Sequence, residues 1–217
     1  MRVVTYVEGP SDEQALKALL QPLIERKARE GVALQFFEAP PGDKKASVLR
    51  KVPRRAVNIL RGDPHAIVVA LPDLYPPNKA FPHRTFDELR NGIEQNMRDE
   101  MKRLNVTDER LLERFHVFCL KYDLEVLLLA AEEALAHHLG AAALPVTWTT
   151  PVEDQNHDRP PKAVVHDLFA DHGQTYIEAV DAPLILSRAN HTMIAKRCPQ
   201  CFGPYVTFLE ETMSRFS

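Results

Sequence analysis

The chain has 217 residues, of which 45% are hydrophobic and 26% charged, as expected for a globular protein that buries a substantial core. Its formal net charge of −3 excludes a global basic field for nucleic acid or membranes, but not a local basic patch. The N-terminus, MRVVTYVEG, lacks the apolar core of a signal peptide, and no stretch is long enough to span a membrane. Three cysteines cannot all pair within the chain, which favours a reducing, cytoplasmic location.

The first two thirds of the chain alternate between strand and helix patterns. Short runs rich in β-branched residues predict four strands, at about 2–7, 34–37, 65–71 and 115–120. Apolar residues at helical spacing predict four helices, at about 12–29, 44–60, 85–104 and 122–140. Pro53 should kink or divide the second helix, and Thr85 is a predicted N-cap of the third. This order predicts an α/β fold with a mostly parallel four-stranded sheet flanked by helices.

After residue 144 the strand periodicity ends. The segment WTTPVEDQNHDRPP is a predicted loop, and short helices are predicted at about 161–170, 183–196 and 203–215. We therefore expect an α/β core over 1–144 and a C-terminal helical extension over 145–217 that packs on the core as part of one structural unit.

Acidic residues follow three of the predicted strands. Glu8 follows VVTYV and Asp73 follows HAIVVALP, while Asp123 and Glu125 come directly after VFCLKY. Because the carboxyl ends of neighbouring parallel strands converge on one crevice, these acids would repel one another without a cation. Oxygen ligands of this kind suit Mg²⁺ or Mn²⁺, and Asp12, in the first turn of the next helix, would support a second metal. Alternatively, the acids cap turns and helix N-termini, as Asp12 and Asp123 would do individually.

The segment DKKASVLRKVPRRAVNILR is strongly basic, whereas the chain as a whole is acidic. Its cations are Lys44, Lys45, Arg50, Lys51, Arg54, Arg55 and Arg61. Its one acid is Asp43. Such a helix would contact the phosphates of DNA or RNA without reading their sequence. The alternative is a solvated helix face that keeps the protein soluble.

A possible metal motif lies near the C-terminus. Cys198-Pro-Gln-Cys201 has the spacing of half a zinc site, but the sequence has no second CxxC. We therefore predict that Cys198 and Cys201 are packing thiols and that they bind no zinc.

Several of these segments together resemble a known family. VEGPSD, at 7–12, is similar to the first motif of the Toprim domain, the metal-binding α/β module of topoisomerases, bacterial primases and nucleases of the overcoming-lysogenization-defect type. More closely, the chain resembles the bacterial domain-of-unknown-function family 4276. The segments that carry this resemblance are VEGPSD at 7–12, DLYPP at 73–77, YDLEVLLL at 122–129 and APLILSRANHTMIAKRCP at 182–199. They occur in the expected order and span nearly the whole chain.

The resemblance implies a Toprim-like core and a metal-dependent nuclease. In that reading Asp73 is the principal Mg²⁺ or Mn²⁺ ligand, and Glu8 is a metal ligand or the general acid/base. Asp12, Asp123 and Glu125 are auxiliary ligands, since the last two match both acids of the third element.

Three further residues have two readings each. Tyr75 stands where many Toprim enzymes carry a second aspartate, as is usual in family 4276, and either binds phosphate or packs under its loop. Lys162 and Arg188 occupy positions where family members often carry basic residues. Each either approaches a phosphate or makes a structural salt bridge.

The leading functional hypothesis is a Mg²⁺-dependent nuclease that works with an ATPase partner of the AAA or SMC type in genome defence or DNA maintenance. The partner follows from the resemblance, and this chain itself has no G-x-x-x-x-G-K-[ST] motif for ATP. The alternative is a catalytically inactive Toprim-like module that binds and regulates an ATPase or nucleic acid. A third reading is another phosphotransfer or hydrolytic activity on a nucleotide.

Overall fold

The protein is seen in a computed structural model that describes residues 1–79, 81–145, 147–155 and 159–213, without the side chain of Lys44. Its sheet consists of β1 (Arg2–Val7), β2 (Ala33–Glu38), β3 (Ala66–Ala70) and β4 (Phe115–Val117). The strands lie in the order β2-β1-β3-β4, and every neighbouring pair is parallel. The predicted α/β class, with a parallel four-stranded sheet flanked by helices, is confirmed. The fourth strand ends three residues earlier than its apolar run predicts.

Helices make up most of the remaining chain. They are α1 (Pro10–Arg29), α2 (Lys44–Gly62), α3 (Phe86–Arg103), α4 (Glu125–Ala130), α5 (Glu132–Leu139), α6 (Pro161–Asp171), α7 (Glu178–Leu186), α8 (His191–Arg197) and α9 (Phe202–Glu211). Short 3₁₀ helices span Glu109–Arg114 and Val152–Asp154. Among the described helices, none combines the length and the apolar character needed to cross a bilayer.

The chain forms two compact units that alternate along the sequence. The first consists of Met1–Pro10, Ile24–Cys119 and the chain from Thr212 onward, and it contains the whole sheet with α2 and α3. The second consists of Ser11–Leu23 and Leu120–Glu211, and it contains α4 to α9. The predicted division into 1–144 and 145–217 stays a prediction.

Helix α2 continues through Pro53 because another helix replaces the hydrogen bond that proline cannot make. Proline has no N–H, so the carbonyl oxygen of Leu49, four residues earlier, loses its usual helical donor. The side-chain amide of Asn96, on α3, donates to that oxygen at 2.8 Å. Pro53 therefore does not divide the helix, so that half of the prediction was wrong, while the alternative of a kink stays a prediction.

The helix predicted over 122–140 is two helices, because the chain turns at Ala131. That residue has φ −90° and ψ 41°, outside the helical region, and it separates α4 from α5. The break frees the carbonyl oxygen of Ala130, which accepts a hydrogen bond from Arg197 at 2.7 Å. Similarly, the helix predicted over 183–196 is divided into α7 and α8. Asn190 caps α8, and its side-chain oxygen accepts hydrogen bonds from the Thr192 and Met193 N–H groups.

Candidate active site at the carboxyl edge of the sheet

The loops that follow β1 and β3 leave the sheet at its topological switch point. From β1 the chain continues to β2 on one side of the sheet, and from β3 it continues to β4 on the other side. The connections that follow the two central strands therefore lead in opposite directions from their carboxyl ends. Ligands of open α/β sheets bind in the crevice at this position. Glu8 directly follows β1, and Asp73 lies three residues beyond β3. The Leu71 N–H still pairs with the Tyr6 carbonyl at 2.9 Å, which keeps the two chain segments together beyond the strands.

Glu8 and Asp73 are in direct contact. The backbone N–H of Asp73 donates to Oε1 of Glu8 at 3.0 Å, and both side chains are half-buried. The structure thus brings together the two acids that the strand pattern placed at one edge. Their role as metal ligands stays a prediction.

The sequence did not predict the neighbour of this pair. Lys45, in the first turn of α2, is half-buried, and its ammonium donates to the carbonyl oxygen of Pro76 at 2.6 Å. Burial lowers the pKa of Lys45, and the charges of Glu8 and Asp73 oppose that shift. Lys45 was predicted as one of several phosphate-binding cations, whereas the structure places its charge beside the acids.

The loop after Asp73 is held by the side chain of His83. His83 is only 4% exposed, and its two ring nitrogens lie 2.7 Å from the carbonyl oxygen of Leu74 and 3.0 Å from that of Phe81. Nothing in the sequence distinguishes this residue among nine histidines. Because Leu74 adjoins Asp73, His83 helps to fix the position of that acid.

The same loop is anchored to α3 and to itself. The ring of Phe81 lies where a side chain on Gly92 would be, since a Cβ built there would approach Phe81 Cζ to 1.8 Å. The hydroxyl of Tyr75 donates to the Arg84 carbonyl at 2.7 Å. This bond favours the reading in which Tyr75 packs within its loop. Thr85 is the N-cap of α3, as predicted, and accepts from the Glu88 N–H at 3.2 Å.

The role of the remaining predicted ligands, Asp12, Asp123 and Glu125, stays a prediction. Asp12 lies in the first turn of α1, where an acid complements the helix dipole, and its role as a second ligand stays a prediction. Across the described ranges, no three His, Cys, Asp or Glu side chains are grouped as they would be around a metal ion.

Asp123 and Glu125 lie in the second unit, close to Lys162. Glu125 is 1% exposed, and its Oε1 lies 3.5 Å from the ammonium of Lys162, which also pairs with Glu178. Lys162 therefore makes the structural ion pairs that were one of its two readings. Burial and the neighbouring Glu125 raise the pKa of Asp123 to about 7, and burial also raises the pKa of Glu125. Burial and the charge of Glu125 raise the pKa of Tyr176.

The raised pKa of Asp123 predicts a loss of stability as the pH rises. Below about pH 4 the group is protonated in both folded and unfolded protein, and between about pH 4 and 7 only the folded protein keeps the proton. The stabilisation from that proton is therefore complete at low pH and lost as the pH rises through 7. Asn cannot lose this proton, so the variant Asp123→Asn should not lose stability in this way. In metal-free buffer, its free energy of unfolding relative to that of the parent should rise by about 2 kcal/mol between about pH 5 and 8, after allowance for solvent screening.

Thermal melts at both pH values measure this gain. A shift of about 2 kcal/mol corresponds to roughly 4–8 °C in the difference between variant and parent. The matched control is Asp171→Asn, at the exposed end of α6 in the same unit. Asp171→Asn should melt with the same pH dependence as the parent. If Asp123→Asn does so too, the raised pKa is wrongly assigned to Asp123.

Four basic residues of α2 lie on its exposed surface. Arg50, Lys51, Arg54 and Arg55 are exposed, and the side chain of Lys44 lies outside the described part of the protein. The Lys51 ammonium donates to the carbonyl of Pro41. In the part of the chain that the structure describes, Arg54, Arg55 and Arg61 have no ion-pair partner. We call these three residues the α2 arginines.

The arginines of helix α3 provide a comparison, because they are paired with acids. Its arginines each pair with an acid one turn away on the same helix, as Arg90–Asp87 at 2.9 Å, Arg98–Glu94 at 3.6 Å and Arg103–Glu100 at 2.7 Å. Helix α2 contains no acid at all. Within the described residues, the α2 arginines therefore differ from those of α3 in having no ion-pair partner.

The last predicted site residues lie in the second unit. The Arg188 guanidinium donates to Nδ1 of His137 at 3.1 Å, so it has a local partner. The thiols of Cys198 and Cys201 are buried and unbridged, and burial raises the pKa of Cys198. Sequence reasoning missed Glu153, a residue of the second 3₁₀ helix. Its fully buried carboxylate accepts a hydrogen bond from the N–H of Phe202, the first residue of α9.

Comparison with known proteins gives a family and a distant structural neighbour. The neighbour is the C-terminal region of the Burkholderia pseudomallei OLD protein, with a TM-score of 0.45, 14% sequence identity and coverage of 97% of each chain. No curated protein matches the chain. The family model for "Domain of unknown function (DUF4276)" matches residues 7–210. The protein therefore belongs to the DUF4276 family, as its motifs predicted.

Proposed function

We propose that this protein is a nuclease that uses Mg²⁺ or Mn²⁺ to cleave phosphodiester bonds in DNA or RNA. The observation that carries the proposal is the contact between Glu8 and the Asp73 backbone at the switch point of the sheet. Two carboxylates at the place where such folds bind ligands, with a lysine charge beside them, suit a phosphate bridged by a cation.

Each residue of the site has a role in this proposal. Asp73 and Glu8 would hold the cation, which when bound supplies the charge that orients a phosphate and stabilises its leaving oxygen. Glu8 has a second available role as general acid/base for the attacking water. His83 keeps Asp73 in place through the loop, and the Tyr75 hydroxyl serves the loop.

The α2 arginines are the reason for proposing a nucleic acid as the substrate. Their charge is uncompensated along a helix whose first turn carries Lys45, the cation that lies beside the acids. Phosphate contacts of this kind fix the position of a nucleic acid without selecting its sequence. The proposal therefore covers both DNA and RNA.

Replacing Asp73 with Asn should weaken Mn²⁺ binding at least tenfold, because the cation loses one of its two carboxylates. Calorimetric titration of the parent, Asp73→Asn and Glu8→Gln measures this loss directly. Cleavage of labelled single- and double-stranded DNA and RNA, with Mg²⁺ or Mn²⁺, should fall in the same variants.

The matched control is Asp99→Asn, an exposed acid on α3 that accepts a hydrogen bond from Gln95. It should bind metal and cleave like the parent. A parent that binds neither cation, or an Asp73→Asn variant that cuts normally, would overturn the proposed function.

A second candidate is a non-catalytic module that binds nucleic acid or an ATPase and regulates it. Lys45 favours this candidate, because its ammonium already compensates part of the charge of Glu8 and Asp73. Nucleic-acid binding without metal binding or cleavage would support the module over the nuclease. In either case ATP hydrolysis would come from an AAA- or SMC-type partner, since the chain has no phosphate-binding loop motif.

A further inference from the structure

Lys45 differs from Arg54 and Arg55 of the same helix in where its charge lies. Asp43 caps the helix and accepts a hydrogen bond from the Ala46 N–H at 2.9 Å, which fixes the orientation of the first turn. From that turn the Lys45 side chain reaches the carbonyl of Pro76, in the loop that begins at Asp73. The side chains of Arg54 and Arg55, by contrast, are exposed.

The positive charge of Lys45 lies where it can offset the repulsion between Glu8 and Asp73. The Asp73 backbone N–H contacts the Glu8 carboxylate, so two half-buried acids lie near each other, and a nearby positive charge would offset their mutual repulsion. Lys45 interacts electrostatically with both Glu8 and Asp73. An ammonium has three N–H donors, of which the Pro76 carbonyl takes one. Besides this carbonyl, the ammonium has two further N–H groups with which it can donate to a ligand.

We propose that Lys45 is the built-in counter-ion of Glu8 and Asp73, that it competes with a divalent cation for these acids, and that it donates to the substrate phosphate once the cation is bound. The first part concerns the protein without metal and stands alone. The second and third parts rest on the proposed nuclease function.

A double-mutant cycle tests the counter-ion without metal or substrate. In the parent, Glu8→Gln removes both the repulsion from Asp73 and the attraction to Lys45, so the two effects offset each other. In a Lys45→Met background the attraction is already gone, and Glu8→Gln only relieves repulsion. In EDTA, Glu8→Gln should therefore raise the melting temperature by at least about 2 °C more in the Lys45→Met background than in the parent.

The control background is Lys102→Met, which removes an exposed lysine from the last turn of α3. There Glu8→Gln should shift the melting temperature as it does in the parent. Equal shifts in the parent and Lys45→Met backgrounds would overturn the counter-ion.

Mn²⁺ titration tests the competition. Lys45→Met should bind Mn²⁺ about tenfold more tightly than the parent, because a cation no longer repels the metal. Lys45→Arg and Lys102→Met should bind like the parent. Unchanged affinity in Lys45→Met would overturn the competition, and a parent that binds no Mn²⁺ would overturn the nuclease while the melting cycle still decides the counter-ion.

Cleavage assays at saturating Mn²⁺ test the phosphate contact. Lys45→Met should cleave at least tenfold more slowly than the parent although it binds metal more tightly. Lys45→Arg should recover part of the rate, since arginine keeps the charge. Parent-like cleavage by Lys45→Met would overturn the phosphate contact, because loss of metal cannot explain opposite changes in binding and rate.

Discussion

Removal of the three α2 arginines should reduce nucleic-acid affinity about 100-fold. Each of Arg54, Arg55 and Arg61 carries a charge that no carboxylate compensates within the described residues, so each is available to a phosphate. Replacing all three by Ala should also flatten the salt dependence, by a slope of about 0.7–0.9 for each lost phosphate contact. Fluorescence anisotropy of labelled oligonucleotides in EDTA, between about 50 and 200 mM salt, measures both quantities without cleavage.

Helix α3 provides a control with the same number of arginines and the same change in net charge. Arg90, Arg98 and Arg103 each pair with an acid on their own helix, so replacing them by Ala should leave affinity nearly unchanged. Similar losses from both triple variants would show that only net charge matters. An unaffected α2 variant would identify its basic face as a solvated surface.

The sequence was sufficient to predict the sheet and the acids at its edge, because these depend on local patterns. Strand β1 is a mostly apolar buried run that ends at a Glu-Gly-Pro turn, and β3 is an apolar run followed by Leu-Pro and then Asp73. Parallel strands necessarily bring such ends to one edge. That rule predicted the proximity of Glu8 and Asp73, but not the hydrogen bond from the Asp73 backbone to the Glu8 carboxylate.

Features that depend on distant residues could not be predicted in this way. The break at Ala131 is stabilised by Arg197, and the continuity of α2 through Pro53 depends on Asn96 from another helix. Lys45 looked like its basic neighbours in sequence, and only the packing of α2 at the sheet edge distinguishes it. A periodicity records which face of a helix is buried, but not which partner that face meets.

Glu153 is the clearest case of a residue whose role lies far away in the sequence. Its carboxylate is fully buried and accepts hydrogen bonds from three consecutive backbone N–H groups, those of Gln200 at 2.6 Å, Cys201 at 2.9 Å and Phe202 at 3.1 Å. Burial raises the pKa of Glu153, and these N–H groups oppose the shift. The side chain thus satisfies the donors at the start of α9 that the helix itself cannot pair.

Replacing Glu153 with Ala should destabilise the protein by about 3–5 kcal/mol, because buried N–H groups lose their acceptor at roughly 1–3 kcal/mol each. Glu153→Gln should fall between this variant and the parent, since the amide keeps one acceptor oxygen but turns donors towards the remaining N–H. Denaturant unfolding followed by the fluorescence of Trp148, the single tryptophan and a residue of the same unit, measures the loss.

A variant at the neighbouring Asp154 is the control that distinguishes loss of the buried cap from a surface effect in the same loop. Its exposed carboxylate pairs with Lys121 and accepts from the Gln200 side chain at 2.9 Å, so Asp154→Asn should cost less than about 1 kcal/mol. If Glu153→Ala and Asp154→Asn unfold at the same denaturant concentration, the three backbone donors do not depend on Glu153 for their stability. If Glu153→Ala alone unfolds early, a carboxylate 49 residues upstream of Phe202 fixes the start of the last helix.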